Sequence, residues 1–333
     1  MTTTVAVLGA GSWGTTLADL LARKGHTVRL WAYEPEVVAA VNREHVNPVF
    51  LPGCALAPGL RAFAEAEEAV RGAPVILSVA PSHAVRAVVS RVRQAVAPGT
   101  LVVSATKGIE TDTLRFMDDV VREVLPEARF AVLSGPSFAQ EVYERQPTAV
   151  VAASRDPEAA AETQRIFATS RFRVYTGGDV CGVELAGALK NVIAIAAGIL
   201  DGIGLGNNPR AALLTRGLAE ITRLGLALGA DPLTFAGLAG MGDLVLTAAG
   251  QLSRNRSLGV ALGQGVPLAE YQAAHRSVAE GVNSARAGAA LAAREGVEMP
   301  ITEEVCAVLF GGREPRDAVA ALMEREPKSE QWR

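Results

Sequence analysis

A glycine-rich turn near the N-terminus is the feature that most narrows what this chain can fold into. The β-rich run Thr4–Leu8 leads into Gly9-Ala10-Gly11-Ser12-Trp13-Gly14, helical leucine spacing follows over Thr15–Lys24, and Thr27–Trp31 supplies a second strand. In such a unit the first glycine permits a tight turn, the second admits a pyrophosphate close to the backbone, and the third lets the helix pack on the strand. The phosphates would face the helix N-terminus. The stretch therefore predicts a dinucleotide-binding βαβ unit that uses Gly9, Gly11 and Gly14.

The same alternation of strand and helix continues to about residue 178. Short apolar runs predict strands at Leu60–Phe63, Val75–Val79, Leu101–Ser104, Phe130–Leu133, Ala149–Ala153 and Arg171–Tyr175. Helical spacing predicts helices at Pro35–His45, Glu65–Arg71, Ser82–Ala97, Thr111–Leu125 and Pro157–Ala168. The range Asn47–Gly59 is rich in proline and glycine and is predicted to be a loop. Strands that alternate with helices favour an α/β Rossmann fold, with a doubly wound and mostly parallel sheet.

Beyond residue 178 the strand pattern stops, and alanine, leucine and glycine dominate with a helical period. This shift predicts a dinucleotide-binding domain over 1–178 and an all-α domain over 179–333 that binds the substrate and carries the catalytic group. A chain of 333 residues is long enough for two such cores. Within the helical half, Gly202–Pro209 is predicted to be a flexible connection and Ala211–Leu228 a long helix.

Composition excludes several classes of function. The formal net charge of −3 gives no electrostatic basis for a nucleic-acid partner. The four histidines lack metal-ligand spacing, so no metal is expected. The three widely spaced cysteines fit a reducing compartment rather than a disulfide framework. Because the N-terminus runs straight into a strand and does not resemble a signal peptide, we expect a cytoplasmic protein without stable membrane insertion.

The apolar helix predicted over Val183–Asp201 carries a lysine in its middle. At 3.6 residues per turn, Lys190 shares a face with Gly187 and Ala194, so that another group can approach it closely. Burial would lower the pKa of Lys190 toward the range that is useful for proton transfer. A lysine that only extends from a core helix to solvent is the alternative. Charged and amide side chains interrupt the helix too early for a membrane span.

Ligands of doubly wound sheets bind at the carboxyl ends of the strands. Three predicted strands end in small-residue turns that carry functional side chains: Ala80-Pro81-Ser82-His83, Ala105-Thr106-Lys107-Gly108 and Ser134-Gly135-Pro136-Ser137. Lys107 is the strongest candidate, because a cation at this position can meet a phosphate or a carbonyl oxygen. Ser82 and Ser137 could instead be helix N-caps.

Three stretches of the helical half add candidates. Asp243 and Thr247 are four residues apart on a predicted helix and share a face. Ser253-Arg254-Asn255-Arg256 opens a helix with donors that suit an anion, although such a run is more often a solvated turn. Glu280 follows a loop and brings a further carboxylate.

Taken together, the motifs GAGSWG, VAPSH, SATKGIE, LSGPSFAQE, LKNVIAIAAGILDGIG, GMGDLVLT, SRNR and VAEG resemble, in this order, those of bacterial-type NAD(P)-dependent glycerol-3-phosphate dehydrogenases. The resemblance covers essentially the whole chain. It implies an oxidoreductase that uses NADP or NAD and reversibly reduces dihydroxyacetone phosphate to sn-glycerol 3-phosphate for glycerophospholipid synthesis. It also implies a homodimer.

The same resemblance implies roles for individual residues. Lys190 would be the catalytic proton acceptor or donor. The substrate would be held by Lys107, Gly135, Ser137, Lys190, Asp243, Ser253, Arg254 and Asn255. The cofactor would be bound by Gly9, Gly11, Ser12, Trp13, Gly14, Lys107, Ala139, Arg254, Val278 and Glu280. Where some members have a basic residue after the second strand, this chain has Ala32-Tyr33-Glu34, which leaves the choice between NAD and NADP open.

Two other functions remain open from the sequence. A different β-hydroxyacid dehydrogenase would keep the architecture and bind a carboxylate at Arg254. A nucleotide-sensing protein without turnover is the second alternative, although the joint presence of Lys107, Lys190 and Asp243 counts against it.

Overall fold

The structure is a computed structural model that describes residues 2–275, 279–327 and 329–330. Its strands are β1 Thr4–Leu8, β2 Thr27–Trp31, β3 Val46–Asn47, β4 Leu51–Ala55, β5 Arg61–Phe63, β6 Val75–Ser78, β7 Leu101–Ser104, β8 Arg129–Ser134, β9 Thr148–Ala153 and β10 Phe172–Gly177. Its α-helices are α1 Ser12–Arg23, α2 Pro35–Glu44, α3 Ala66–Val70, α4 Val85–Val92, α5 Met117–Val124, α6 Ala139–Tyr143, α7 Pro157–Phe167, α8 Val180–Gly202, α9 Asn207–Ala227, α10 Pro232–Ala236, α11 Asp243–Ala249, α12 Arg254–Gly263, α13 Leu268–Ala274, α14 Gly281–Glu295, α15 Pro300–Phe310 and α16 Pro315–Met323. Short 3₁₀ turns flank α4 at Ser82–Ala84 and Arg93–Ala95, and a π-helical segment, Leu238–Gly242, precedes α11.

Eight strands form one sheet in the order β10-β9-β8-β7-β6-β1-β2-β5. All neighbouring pairs are parallel except β8 and β9, which run antiparallel. Apolar side chains on the two faces of the sheet form separate cores, one with α1, α2 and α7 and the other with α3, α4 and α5. This arrangement confirms the predicted Rossmann fold, because near-continuous apolar strands need helices on both faces.

Several predicted boundaries were wrong in detail. The predicted loop Asn47–Gly59 contains β4, which pairs with β3 in a separate two-stranded antiparallel sheet. The predicted helix Thr111–Leu125 begins only at Met117, since Leu114 has a φ of 56° and Glu110 N–H bonds to the carbonyl of Arg115, closing a turn instead. The connection after α8 is shorter than predicted because α9 already starts at Asn207.

The helical half is organised around α8, a 23-residue helix with almost every residue buried. By length and hydropathy α8 could cross a membrane, but all of its most apolar window is buried inside the protein, as in the core helix of a soluble protein. Residue 178 lies between the last strand of the sheet and the start of this helix.

Candidate active site

Four strands bring their carboxyl ends to one edge of the sheet. Strands β1, β6, β7 and β8 are mutually parallel neighbours, so the residues that follow them meet there. These residues are the glycine-rich turn after β1, Ser82 after β6, Lys107 after β7 and Gly135 after β8. The predicted clustering of these turns is therefore present.

Helix α8 carries Lys190 toward the same edge. At Gly187, a Cβ atom would lie 3.2 Å from Ser134 Oγ and 3.6 Å from Lys107 Cγ, so α8 passes close to the strand ends where its side chain is smallest. Further along, α12 crosses α8 so closely that a Cβ on Gly198 would collide with the carbonyl oxygen of Arg256, and one on Gly259 with that of Ile195. This backbone-to-backbone crossing fixes where α12 begins relative to Lys190.

Two lysines share one buried carboxylate. Lys190 Nζ donates to Asp243 Oδ1 at 2.5 Å and to Thr247 Oγ1 at 2.7 Å. Lys107 Nζ donates to Asp243 Oδ2 at 2.6 Å and to the carbonyl oxygen of Gly135 at 3.1 Å. Asp243 is 1% exposed and Lys190 5%. Asp243 and Thr247 lie on one face of α11, as the sequence predicted, and Asp243 orients both ammonium groups.

The electrostatics of this group favour proton transfer near neutral pH. Burial, together with the charge of Lys107, lowers the pKa of Lys190 to about 7 against the opposing effect of Asp243. Burial alone would raise the pKa of Asp243, but the two lysines outweigh it and keep that pKa below its ordinary value. The structure thus excludes the alternative of a lysine that extends to solvent.

Arg254 lies at the start of α12 and is exposed. It makes no hydrogen bond or ion pair with any described residue. Its neighbours are already engaged: Ser253 Oγ accepts from Arg256 N–H as the N-cap of α12, and the Arg256 guanidinium pairs with Asp201. Asn255 is buried and donates to Asn191 Oδ1 at 2.9 Å, which ties α12 to the residue beside Lys190. Arg254 is thus the cation left available for an anionic ligand.

The glycine-rich turn has the shape that a dinucleotide needs. Gly9 has a φ of +121°, and a Cβ there would lie 3.0 Å from the backbone of Val79 and Ala80. A Cβ on Gly14 would collide with the carbonyl oxygen of Gly9, whereas Gly11 faces open space. The first N–H groups of α1 have no carbonyl acceptors within the helix, and Gly11 offers no side-chain cap. Trp13 Nε1 is also buried, with no hydrogen-bond partner among the described residues. The turn therefore fits a pyrophosphate.

Asn47, which the sequence did not mark as a candidate, supports this turn. Asn47 is fully buried, and its Nδ2 donates to the carbonyl oxygen of Ala10 and to Thr15 Oγ1, both at 2.8 Å. The neighbouring segment contributes as well, since Ser12 Oγ donates to the carbonyl oxygen of Phe50 at 2.5 Å. In the sequence, Asn47 was one amide residue at the start of a stretch that was predicted to be a loop, and nothing local marked it as a contact of the turn.

Two serines that could have been helix N-caps have other partners. Ser82 Oγ donates to Glu280 Oε2 at 2.8 Å, which links the end of β6 to the start of α14. Ser137 Oγ donates to the carbonyl oxygen of Gly135 at 2.9 Å. The N-cap interpretation was therefore wrong for both. Burial raises the pKa of Glu280, against the effect of the bond from Ser82.

The remaining predicted residues lie in different parts of the chain. Ala139 begins α6, and its carbonyl oxygen accepts from Thr16 Oγ1 on α1, which places it beside the glycine-rich turn. Glu34 precedes α2 with Pro35 at the first helical position, as predicted, and makes no side-chain cap bond. Val278 lies outside the described residues. Among the residues that the structure describes, no three His, Cys, Asp or Glu side chains are grouped to hold a metal ion.

Comparisons with known proteins agree with the motifs. The family profile described as the NAD-dependent glycerol-3-phosphate dehydrogenase N-terminus matches residues 4–160, and the corresponding C-terminus profile matches residues 179–320. The glycerol-3-phosphate dehydrogenase [NAD(P)+] of Geobacter metallireducens is 59% identical over 98% of both chains. That of Geobacter sulfurreducens is 58% identical over the full length of both. A crystal structure of glycerol-3-phosphate dehydrogenase from Coxiella burnetii superposes with a TM-score of 0.94 at 42% identity, covering 97% of this chain and 99% of that one.

Proposed function

Because the chain belongs to the NAD-dependent glycerol-3-phosphate dehydrogenase family, we propose that it interconverts dihydroxyacetone phosphate and sn-glycerol 3-phosphate with NAD or NADP as the redox partner. The observation that carries the proposal is the pair of lysines on Asp243, beside a turn built for a dinucleotide. The nicotinamide, when bound, supplies or accepts the hydride, which leaves the protein to manage a proton and a phosphate.

Lys190 is the proposed proton donor to the carbonyl oxygen during reduction and the acceptor during oxidation. A pKa of about 7 lets its ammonium give up a proton readily at neutral pH. Asp243 keeps the ammonium in place, and Thr247 accepts a second hydrogen bond from it. Lys107 adds a positive charge next to the oxygen on which negative charge develops.

The proposed substrate site surrounds this group. Arg254 binds the phosphate, since it is the cation at the helix start that pairs with no described residue. Charge-assisted bonds from a guanidinium to phosphate oxygens are among the stronger polar contacts in proteins. The other proposed substrate contacts are Lys107, Gly135, Ser137, Lys190, Asp243, Ser253 and Asn255.

The proposed cofactor site begins at the glycine-rich turn. Gly9, Gly11 and Gly14 shape the turn, and Ser12 and Trp13 present the helix N-terminus to the phosphates. The further proposed contacts toward the nicotinamide are Lys107, Ala139, Arg254, Val278 and Glu280.

Several wider features are proposed from the family resemblance and the chain's organisation. We expect a dinucleotide-binding domain over 1–178 and a helical substrate domain over 179–333. We also expect a cytoplasmic homodimer without membrane insertion, acting in glycerophospholipid synthesis. Sedimentation equilibrium tests the dimer. Growth without added glycerol 3-phosphate, in a strain from which the gene for this protein is deleted, tests the metabolic role.

A steady-state assay tests the activity. Loss of NADH or NADPH absorbance is followed with dihydroxyacetone phosphate, with dihydroxyacetone and with a β-keto acid as alternative substrates. Turnover with the phosphate ester alone supports the proposal. Turnover with the β-keto acid instead would assign the chain to a different dehydrogenase activity, and absence of turnover with all three would refute the reaction.

A further inference from the structure

Helix α8 carries a second buried ionisable residue, Glu184, on the N-terminal side of Lys190. Glu184 is 4% exposed. It lies six residues before Lys190, which is about 9 Å along the helix axis. Nothing in the proposed chemistry uses this carboxylate, so its presence in the core needs another explanation.

The carboxylate of Glu184 caps a helix of the sheet-containing half. Its Oε1 and Oε2 accept from the backbone N–H of Asp118 at 3.2 and 3.4 Å. Asp118 is in the first turn of α5, where the N-cap residue Phe116 provides no side-chain acceptor. An acceptor oxygen at a helix N-terminus satisfies an otherwise unpaired backbone donor. Glu184 thus supplies from α8 the cap that α5 lacks.

The charges around Glu184 make this an expensive arrangement. The Asp118 carboxylate is itself buried and pairs with Arg122 and Arg155, whereas Glu184 has no salt bridge to any described residue. Burial raises the pKa of Glu184 well above its ordinary value, and the negative charge of Asp118 raises it further. A leucine of similar volume would avoid this cost, which suggests that the bond to α5 serves a purpose beyond packing.

The position of α5 in the chain suggests that purpose. Strand β7 is followed by Lys107, then by the turn at residues 110–115, and then by α5. Helix α8 therefore approaches the β7–α5 unit at three points. Glu184 contacts Asp118 on α5, and Gly187 lies beside the side chain of Lys107. Lys190 is linked to Lys107 indirectly, because Asp243 binds both. The Glu184 bond and the Asp243 bridge are two ties between the same two parts of the molecule.

We infer that Glu184 is a positioning residue, which by capping α5 holds α8 in register with the β7–α5 unit and so keeps Lys190 next to Lys107. This inference rests on the proposed role of Lys190. Asp243 and Thr247 belong to α11, which packs on α8 itself, so a shift of α8 moves Lys190 and Asp243 together and away from Lys107. Weaker repulsion from Lys107 then raises the pKa of Lys190.

Two substitutions of Glu184 distinguish the length of the side chain from its charge: aspartate is shorter but still ionisable, and glutamine has the same length but no charge. Glu184→Asp withdraws the carboxylate from the Asp118 N–H, whereas Glu184→Gln keeps an acceptor oxygen at the same reach. We expect Glu184→Asp to lower kcat for dihydroxyacetone phosphate reduction about ten- to a hundredfold, the scale of an approximately 1 Å misplacement, while KM stays within about twofold. Glu184→Gln should retain most of kcat.

Glu220 provides a matched control. It is 2% exposed on α9 and caps a different helix, α15, by accepting from the N–H groups of Ile301 and Thr302 at 2.7 and 3.3 Å. Glu220 matches Glu184 in residue type, in burial and in accepting from backbone N–H groups at a helix N-terminus, but α15 does not carry a lysine of the site. Glu220→Asp should therefore lower thermal stability as Glu184→Asp does, and leave kcat unchanged.

A second readout needs no cofactor. Competitive labelling with acetic anhydride at a series of pH values gives the pKa of Lys190 in the free protein. We expect this pKa to rise in Glu184→Asp and to stay at the wild-type value in Glu184→Gln and Glu220→Asp. A wild-type kcat and an unshifted Lys190 pKa in Glu184→Asp would overturn the inference, as would equal losses in the Asp and Gln variants, or equal kcat losses at Glu184 and Glu220. Absence of wild-type turnover would refute the proposed function instead, and the labelling would still test the positioning.

Discussion

Lys190 and Lys107 are bound to opposite oxygens of the same carboxylate, that of Asp243, at 2.5 and 2.6 Å. The two ammonium groups come from different halves of the chain, one from the centre of α8 and one from the end of β7. A single buried anion between two cations leaves net positive charge where a carbonyl oxygen becomes negative. The same arrangement lets Lys107 lower the pKa of Lys190.

Replacing Lys190 by methionine should abolish most of the turnover. The variant keeps the aliphatic stem and loses the proton donor, so we expect kcat to fall about 100-fold or more, the scale of general acid–base catalysis. Cofactor affinity, measured by fluorescence titration, should stay close to that of the wild type. Near-normal kcat in a folded Lys190→Met protein would assign proton transfer to another group.

The pH dependence of the two directions should be opposite. Reduction needs protonated Lys190, so kcat for dihydroxyacetone phosphate should be full below pH 7 and decline as the pH rises through the Lys190 pKa of about 7. Oxidation of glycerol 3-phosphate needs the neutral amine and should decline as the pH falls through that value. Since Asp243 raises the pKa of Lys190, Asp243→Asn should move both limbs to lower pH. If the two pH profiles of Asp243→Asn are not shifted from those of the wild type, a group other than Lys190 titrates.

Replacing Arg254 by alanine should weaken phosphate binding. A hydrogen bond to a charged group contributes about 1.5–3 kcal/mol, so KM for dihydroxyacetone phosphate should rise roughly 10- to 150-fold. Dihydroxyacetone, which lacks the phosphate, is the control substrate and should lose little. An equal loss of kcat/KM on both substrates would place the phosphate contact elsewhere.

Adding a methyl group where α8 crosses α12 should destabilise the protein. The Cβ of Gly198→Ala collides with a backbone carbonyl oxygen, which cannot move aside as a flexible side chain can. Overpacking of this kind costs about 1–3 kcal/mol, which urea unfolding measures. Gly59→Ala is the control, because apart from its chain neighbours no heavy atom of the described residues lies within 4 Å of its Cβ position. Equal stability of the two variants would mean that the helices separate freely.

The site should accept both NADH and NADPH. In many Rossmann units a carboxylate at the end of the second strand binds the ribose 2′-OH and repels a 2′-phosphate. Here β2 ends at Trp31, whereas Glu34 lies three residues further on as the N-cap of α2. We expect discrimination below roughly 100-fold, about 2.7 kcal/mol. The ratio of kcat/KM for the two cofactors at fixed salt measures it, and a much larger ratio would assign a 2′-reading role to Glu34 or to a basic residue.

Local patterns in the sequence determined most of the secondary structure and the Rossmann fold. Strands β1, β2 and β7 have the predicted ends, because each is a short apolar run next to glycine or a turn. The three-glycine turn and the lysine in an apolar helix were likewise readable, since their meaning depends on neighbours within a few residues. These signals also placed the candidate residues at strand ends and helix starts, where ligands bind.

Only the tertiary structure decided which of these residues meet. Asp243 is 53 residues from Lys190 and 136 from Lys107, and no local pattern specifies that it binds both. The same holds for Asn47 beneath the glycine-rich turn, for the reversed strand β9 and for Glu184 capping α5. These contacts depend on how closely helices cross and how the sheet is ordered, which glycines such as Gly198 permit but do not dictate. Sequence therefore determined the chemical groups, and packing between distant segments determined their distances and hence their pKa values.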